Sequence, residues 1–285
     1  MLAMNSGSTI VELQETERFL QMLGAQRQLY TEAKTLQTIA AALCLGLPVI
    51  ITVLQIWASD FVSLSVSSCI IIELVAFVCG LVIMAEAERK IITAASIQQR
   101  FDLALFGLGE YDCADLEESI IKAFKRYGKS DDDPSSLKRW YSGDIATLGE
   151  VEAVRCCQKT NIRWSFKLGC IWATTLALLS VVCVAIVVVP TVTLKVDWAN
   201  LFFAATIIEW AALQIHEGLA YLLRVRDLDK TTRLINVVNE EGIRRLQDLI
   251  FDYRKSAFKV PNWLFRFMRS RYSSIGDEIA AAERL

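Results

Sequence analysis

FVSLSVSSCIIIELVAFVCGLVIMA, residues 61–85, carries a single charge, Glu73, near its centre. About 20 apolar residues cross the hydrocarbon core of a bilayer, so the stretch reads as a transmembrane helix with a carboxylate inside it. The pattern recurs on both sides. Upstream, Lys34 and Asp60 bracket 25 uncharged residues. Downstream, Lys167 and Lys195 bracket 27. A fourth run, Trp198–Leu223, is interrupted by Glu209, His216 and Glu217. The chain of 285 residues is 54% hydrophobic, with a mean hydropathy of +0.37. That is too apolar for an ordinary soluble domain. The expected fold is an all-α membrane protein, with four transmembrane helices as two hairpins plus a cytoplasmic helical bundle. Residues 1–34 form an N-terminal cytoplasmic helix and 35–85 the first hairpin. Residues 86–167 form a central cytoplasmic helical segment, 168–223 the second hairpin, and 224–285 a C-terminal cytoplasmic helical segment.

The start, MLAMNSGSTIVELQETERFL, is polar and acidic. It lacks the basic n-region and apolar h-region of a signal peptide, so the first span is expected to stay in the membrane. Net charge is −2, and bulk charge points to no partner. The link between spans one and two has no Lys or Arg, and the link between spans three and four has only Lys195. The other 29 of the 30 basic residues lie in the N-terminal, central and C-terminal segments, which places all three on the cytoplasmic side by the positive-inside rule. None of the eight cysteines forms a CxxC pair, and reduced thiols are expected on that side. Cys156 and Cys157 have no histidine near them in sequence, because the single histidine, His216, lies in a span. No metal site is expected.

Between the spans the spacing predicts helices. VELQETERFLQMLGAQRQLYTEAKTLQTI leads into span one, and span two continues into AEAERKIITAASIQQRF. DLEESIIKAFKRYGK reads as a short amphipathic helix, SDDDPSSLKRWYSGD as a polar loop, and LGEVEAVRCCQKTNIRWSFKL as a helix leading into span three. Leu228, Ile235, Val238, Leu246, Leu249 and Tyr253 form an apolar stripe. It has two readings, packing within the chain or pairing between copies. VPNWLFRFMRSRYSS mixes aromatics with Arg266, Arg269 and Arg271. It suits either the lipid headgroup level or a surface helix of the cytoplasmic bundle.

IIELVA (71–76) and IIEWAA (207–212) place Glu73 and Glu209 at equivalent points of the two hairpins. Ser65, Cys69, Glu73, Ala76 and Gly80 share one helical face, and Ala205, Glu209, Ala212, His216 and Ala220 share another. Both faces are small or polar, so they are expected to face protein or water rather than lipid. No Lys or Arg within the spans can pair with the carboxylates. Protonated glue between helices and an acidic ring lining a cation-permissive pore are both consistent with this pattern. His216, two turns from Glu209 on the cytoplasmic side, reads as a packed residue or a sensor. GxxxxGK[ST], GxGxxG, HExxH and GxSxG are all absent, and one histidine leaves no room for His-based triads. The chain is not expected to be an enzyme, and no catalytic residue is assigned.

Four segments in order and in register with the spans carry a resemblance: LGAQRQLYTEAK (23–34), LKRWY (137–141), CCQKTNIRWSFKL (156–168) and LQDLIFDYRKS (246–256). Over nearly its whole length the chain resembles the S-4TM family of pore-forming effectors, four-transmembrane proteins associated with cyclic-oligonucleotide anti-phage (CBASS) systems in bacteria. The matching positions are Gln26, Arg27, Gln28, Tyr30, Lys34, Trp140, Tyr141, Gln158, Asn161, Trp164, Asp252 and Arg254, while Ser165 stands where the family often has an acid. The resemblance implies an effector in the bacterial inner membrane, triggered by a cyclic nucleotide from a neighbouring nucleotidyltransferase. The effector would oligomerise or open and permeabilise the membrane, causing abortive infection. Its partners would be the lipid bilayer and copies of itself, with no DNA. It needs no cofactor beyond a cyclic oligonucleotide or cyclic mononucleotide as activating ligand. For such a ligand, Arg27, Lys34, Lys138, Arg139, Arg155, Arg163 and Arg254 would meet phosphates. Tyr30, Trp140, Tyr141 and Trp164 would stack on bases, and Gln158, Asn161 and Asp252 complete the candidate set. Packing of the same aromatics in the cytoplasmic core is the competing reading. The alternative function is a membrane-anchored scaffold without a pore, or a small ion channel or transporter.

Overall fold

A computed structural model describes residues 4–57, 65–111, 113–130, 134–193, 199–234, 240–256, 260–264 and 267–268. Among them there are helices and turns and no strand. In order they are α1 (Gly7–Leu13), α2 (Glu17–Ala41), a π-helical turn (Ala42–Gly46), α3 (Leu47–Trp57), α4 (Val66–Phe106), α5 (Leu116–Tyr127), two 3-10 turns (Pro134–Leu137 and Gly143–Thr147), α6 (Glu150–Thr193), α7 (Ala199–Leu234) and α8 (Glu240–Arg254).

The local reasons are visible in the sequence. Ser6 caps α1 by accepting from the Thr9 N–H, and Ser65 caps α4 by accepting from the Ser68 N–H. Gly107 ends α4 with φ 69°, the left-handed conformation that only glycine adopts freely. The π-turn lies just before Pro48. Proline lacks an N–H and its ring crowds the carbonyl four residues back, and a widened turn relieves both. Thus α2, the π-turn and α3 run as one rod.

The 41 residues of α4 and the 44 of α6 are roughly 60 Å long at 1.5 Å per residue. A bilayer core takes about half of that, so one half of each helix is long enough to cross it, and the two halves differ in character. Burial marks the division. Along the first half of α4, Ile71, Leu74, Val75, Val78 and Val82 are exposed while Cys69, Glu73 and Ala76 are buried. Apolar residues outside and small or polar ones inside is the arrangement a lipid solvent favours. In the second half the order reverts. Ile10, Leu23, Leu29, Ile97, Phe101, Leu105, Ile120, Tyr141, Ile145 and Val154 form a continuous core shared by α1, α2, α4, α5, the second 3-10 turn and α6.

Three helices among the described residues are long and apolar enough to cross a membrane, over Glu17–Ile51, Ser67–Phe106 and Glu150–Ile186. The fourth expected span falls on α7, whose run is broken by Glu209, His216 and Glu217. The helices expected over 115–129 and 148–168 are present as α5 (Leu116–Tyr127) and the start of α6 at Glu150, as are turns in the polar loop. The C-terminal stripe resolves toward packing within the chain. Leu228, Leu246 and Tyr253 join Ile162, Tyr221, Val225 and Ile250, with Leu249 at the margin. Ile235 and Val238 lie outside the described residues.

Charged contacts mark where the apolar half ends. Glu32 of α2 receives Lys90 of α4 at 2.8 Å and Arg126 of α5 at 2.6 Å. Gly169 of α6, two residues past Lys167, lies tight against the ring of Tyr221 on α7.

Candidate functional site

The candidate ligand residues do not converge on one surface. Lys138, Arg139, Arg163 and Asp252 are exposed, on the loop, α6 and α8. Asp252 pairs with Lys255 at 2.7 Å. Arg139 has a left-handed φ of 54°, held by its N–H donating to Glu15 Oε1 at 2.7 Å. Arg27 donates to the Ser136 hydroxyl and to its carbonyl at 3.2 Å, fastening α2 to the loop. Lys34 donates to Asn262 at 2.9 Å. Tyr30, Trp140 and Trp164 are half-buried at the edge of the main core, and Arg155 is half-buried on α6.

The other four meet in a buried polar knot, centred on a residue that the sequence reading missed. Asp102 of α4 is fully buried and accepts three bonds: Tyr141 Oη donates to Oδ1 at 2.9 Å, Gln247 Nε2 to Oδ2 at 3.0 Å, and Arg254 Nη1 to Oδ2 at 2.6 Å. Asn161 Nδ2 donates to Tyr141 Oη at 2.9 Å. Gln158 Nε2 donates to Gln247 Oε1 and to the Ile243 carbonyl, both at 3.1 Å. Gln14 binds both backbone groups of Tyr141, accepting from N–H at 2.9 Å and donating to C=O at 3.3 Å. The knot therefore ties α8 to α4, α6 and the 137–142 loop, and through Gln14 to the chain after α1.

The electrostatics follow from burial. Burial is the largest influence and would push the Arg254 guanidinium down, but Asp102, together with Tyr253, Tyr141 and Tyr30, outweighs it and holds it above its ordinary value. Burial, then Asp102, pushes the Tyr141 hydroxyl well up, so it stays a neutral donor. Arg254 is thus neutralised from inside the protein, and a phosphate would reach it only by displacing Asp102. The bonds of the knot hold these segments in register with one another.

Nearer the membrane, Ser165 occupies the position where the resembling family often has an acid, and its hydroxyl shares a 2.6 Å hydrogen bond with Tyr253 Oη. Tyr221 Oη donates to its carbonyl at 3.2 Å. The serine is part of the α6–α7–α8 packing.

The two look-alike hexapeptides point in opposite directions. Glu73 is 4% exposed, on the face where Cys69 packs against Ile51 and Gly80 closes on Cys44. In IIEWAA the tryptophan turns inward instead. Trp210 is 1% exposed, packed with Ala40, Cys44 and Leu45. Glu209, Ala212 and His216 face outward from the single chain, between exposed Ile208, Leu213, Ile215 and Leu219. His216 is beside Glu217, 4.0 Å away. The side chain of Ala205 lies outside the described residues.

The family model described as the SMODS-associating 4TM effector domain matches residues 8–208. The chain belongs to the SMODS-associating 4TM effector family. It is therefore a membrane protein built on an effector domain associated with SMODS (CBASS-like) systems. The match takes in α1 to α6 and the first turns of α7. Glu209, His216, α8 and the Arg254 end of the knot lie beyond it. No curated protein and no solved structure matches the chain.

Proposed function

We propose that this SMODS-associating 4TM effector crosses the bacterial inner membrane four times, with both termini cytoplasmic. On a cyclic-nucleotide signal from a nucleotidyltransferase, it assembles through α7 and permeabilises the membrane, which ends growth of the infected cell. The helical body containing the knot is then cytoplasmic, and the fourth span is the apolar part of α7.

The observation that carries this reading is the outward stripe of Glu209, Ala212 and His216 on a surface otherwise lined with Ile and Leu. An ionisable group facing acyl chains costs several kcal/mol, and such residues generally face protein or water. A single chain in lipid leaves Glu209 badly solvated. Copies meeting along α7 give it protein, and then water once a lumen opens. Glu73 already faces its own hairpin and serves packing. The signal would act by binding the assembled state more tightly, through exposed Lys138, Arg139 and Arg163 rather than through neutralised Arg254.

The test is leakage of ions and dye from liposomes holding the purified protein, with a panel of cyclic di- and trinucleotides. One nucleotide should trigger leakage. Glu209→Gln should lower the triggered ion flux severalfold, and Glu73→Gln should leave it near wild type. Leakage equally strong in the Glu209→Gln variant would remove the acidic lining. No leakage with any nucleotide, from inserted and folded protein, would favour the scaffold without a pore.

A further inference from the structure

The segment after α8 is basic. From Lys255 to Gly276 there is no acid, while Lys255, Lys259, Arg266, Arg269 and Arg271 carry positive charge. In a chain of net charge −2 this is a local concentration of one sign. Its described part, 260–264 and 267–268, sits at a fixed depth. Asn262 accepts from Lys34 Nζ at 2.9 Å and donates to Thr31 Oγ1 at 3.1 Å, and Lys34 is the last charge before the first apolar run. Leu264 and Met268 are buried against Leu168, Ile171 and Trp172, immediately after Lys167, the last charge before the third. The segment thus straps the mouths of two spans.

Its other side is apolar and uncovered. Trp263 is 60% and Phe267 74% exposed, among the most exposed large hydrophobic side chains of the described residues. They are four apart in sequence, the spacing of neighbours on one helical face. Trp263 meets Trp172 edge to face, centroids 6.2 Å apart. Trp172 is five residues beyond Lys167, about 7 Å deeper at 1.5 Å per residue. An amphipathic helix at an interface buries its apolar face to about 5–10 Å below the headgroups, and tryptophan concentrates at that depth.

We propose that the described segment around Trp263 and Phe267 is an interfacial anchor, with these two side chains inserted at the headgroup–acyl boundary, and that the charge of Arg266, Arg269 and Arg271 in the same stretch of sequence makes it favour anionic lipid. A second copy of the chain fits this surface less well, because two acid-free, basic segments repel each other. A bilayer is already required at this level by the apolar runs of α2 and α6. The inference rests on that membrane placement and needs neither leakage nor a nucleotide. The anchor would couple α8, and through it the Asp102 knot, to the bilayer surface.

The test uses full-length protein in vesicles of phosphatidylcholine, with or without phosphatidylglycerol. Subtracting the emission of Trp263→Phe from that of wild type isolates Trp263. Acyl chains brominated near the headgroup should quench this signal about twofold more than chains brominated near their ends, as the shallow depth of an interfacial helix requires. A reporter moved one turn, Phe267→Trp in the Trp263→Phe chain, should behave alike. Phosphatidylglycerol should strengthen the quenching, and changing Arg266, Arg269 and Arg271 to Gln should abolish that gain. Unquenched emission, whether solvent-like or blue-shifted with rising protein-to-lipid ratio, would overturn the anchor in favour of water or a second copy. Quenching indifferent to phosphatidylglycerol would overturn the anionic-lipid part.

Discussion

Removing either partner of the Asp102–Arg254 pair strands a full charge in an interior where the side chains are 0% and 5% exposed. Breaking a buried pair costs about 3–5 kcal/mol, whereas replacing both partners with apolar groups of similar volume costs far less. Asp102→Leu and Arg254→Met should each lower the melting temperature in detergent sharply, and the double variant should recover most of the loss. Equal losses in all three would mean that the ion pair does not govern the site. This residue scale is where the sequence was hardest to read. Arg254, Gln158 and Asn161 were visible as polar residues of the right types, but a ligand and an internal acid satisfy them equally well. Asp102 was not singled out from the sequence at all. The available signal was its setting: Gln98, Gln99 and Asp102 interleave with buried Ile97, Phe101 and Leu105. A helix apolar on several sides is covered on several sides, so polar residues among them need internal partners.

At the scale of elements, the first hairpin depends on a close approach. A Cβ at Gly80 would meet Cys44 Sγ, and the same sulfur lies 3.9 Å from the Ala76 carbonyl. Small residues let membrane helices pack without a hydrophobic driving force. Overpacking such a contact costs about 1–3 kcal/mol. Gly80→Ala should therefore lower the melting temperature, and adding Cys44→Ala should restore it by making room. A fall of the same size with and without the second change would mean that the π-turn and α4 do not meet through this pair. This contact was legible in outline. Ser65, Cys69, Glu73, Ala76 and Gly80 shared a face, and small residues on one face predict a partner. The break at the π-turn was less legible, since Pro48 shows that a helix must adjust but not how. Direction was not legible for α7. IIELVA and IIEWAA share their first three letters, but the fourth, leucine in one and tryptophan in the other, sets which face turns inward. Trp210 fills a core position, and its burial rotates Glu209 out.

At the scale of the whole molecule, the division into an apolar half and a polar half leaves α7 as the surface that disagrees with its surroundings. Where α4 presents Val82 at 66% exposure, α7 presents Glu209 and His216. Lipid suits the first and not the second, so assembly should proceed through α7. Cysteine pairs report this directly. With exposed Cys79 and Cys113 replaced by Ser, Ala212→Cys should form a disulfide-linked dimer in membranes on mild oxidation, while Val82→Cys stays monomeric. Two chains related by a two-fold axis bring identical residues of a shared face together, and a thiol at the centre of the stripe then finds its mate. If Val82→Cys cross-links and Ala212→Cys does not, the seam runs along α4, Glu209 faces something other than a second copy, and the pore model loses its lining. If both link equally, the contacts are random collisions and the outward carboxylate must be solvated within one chain, by bilayer thinning that draws water and headgroups toward it. The physics that makes Glu209 expensive in lipid holds in each case, and the cysteine pair decides which neighbour offsets that expense.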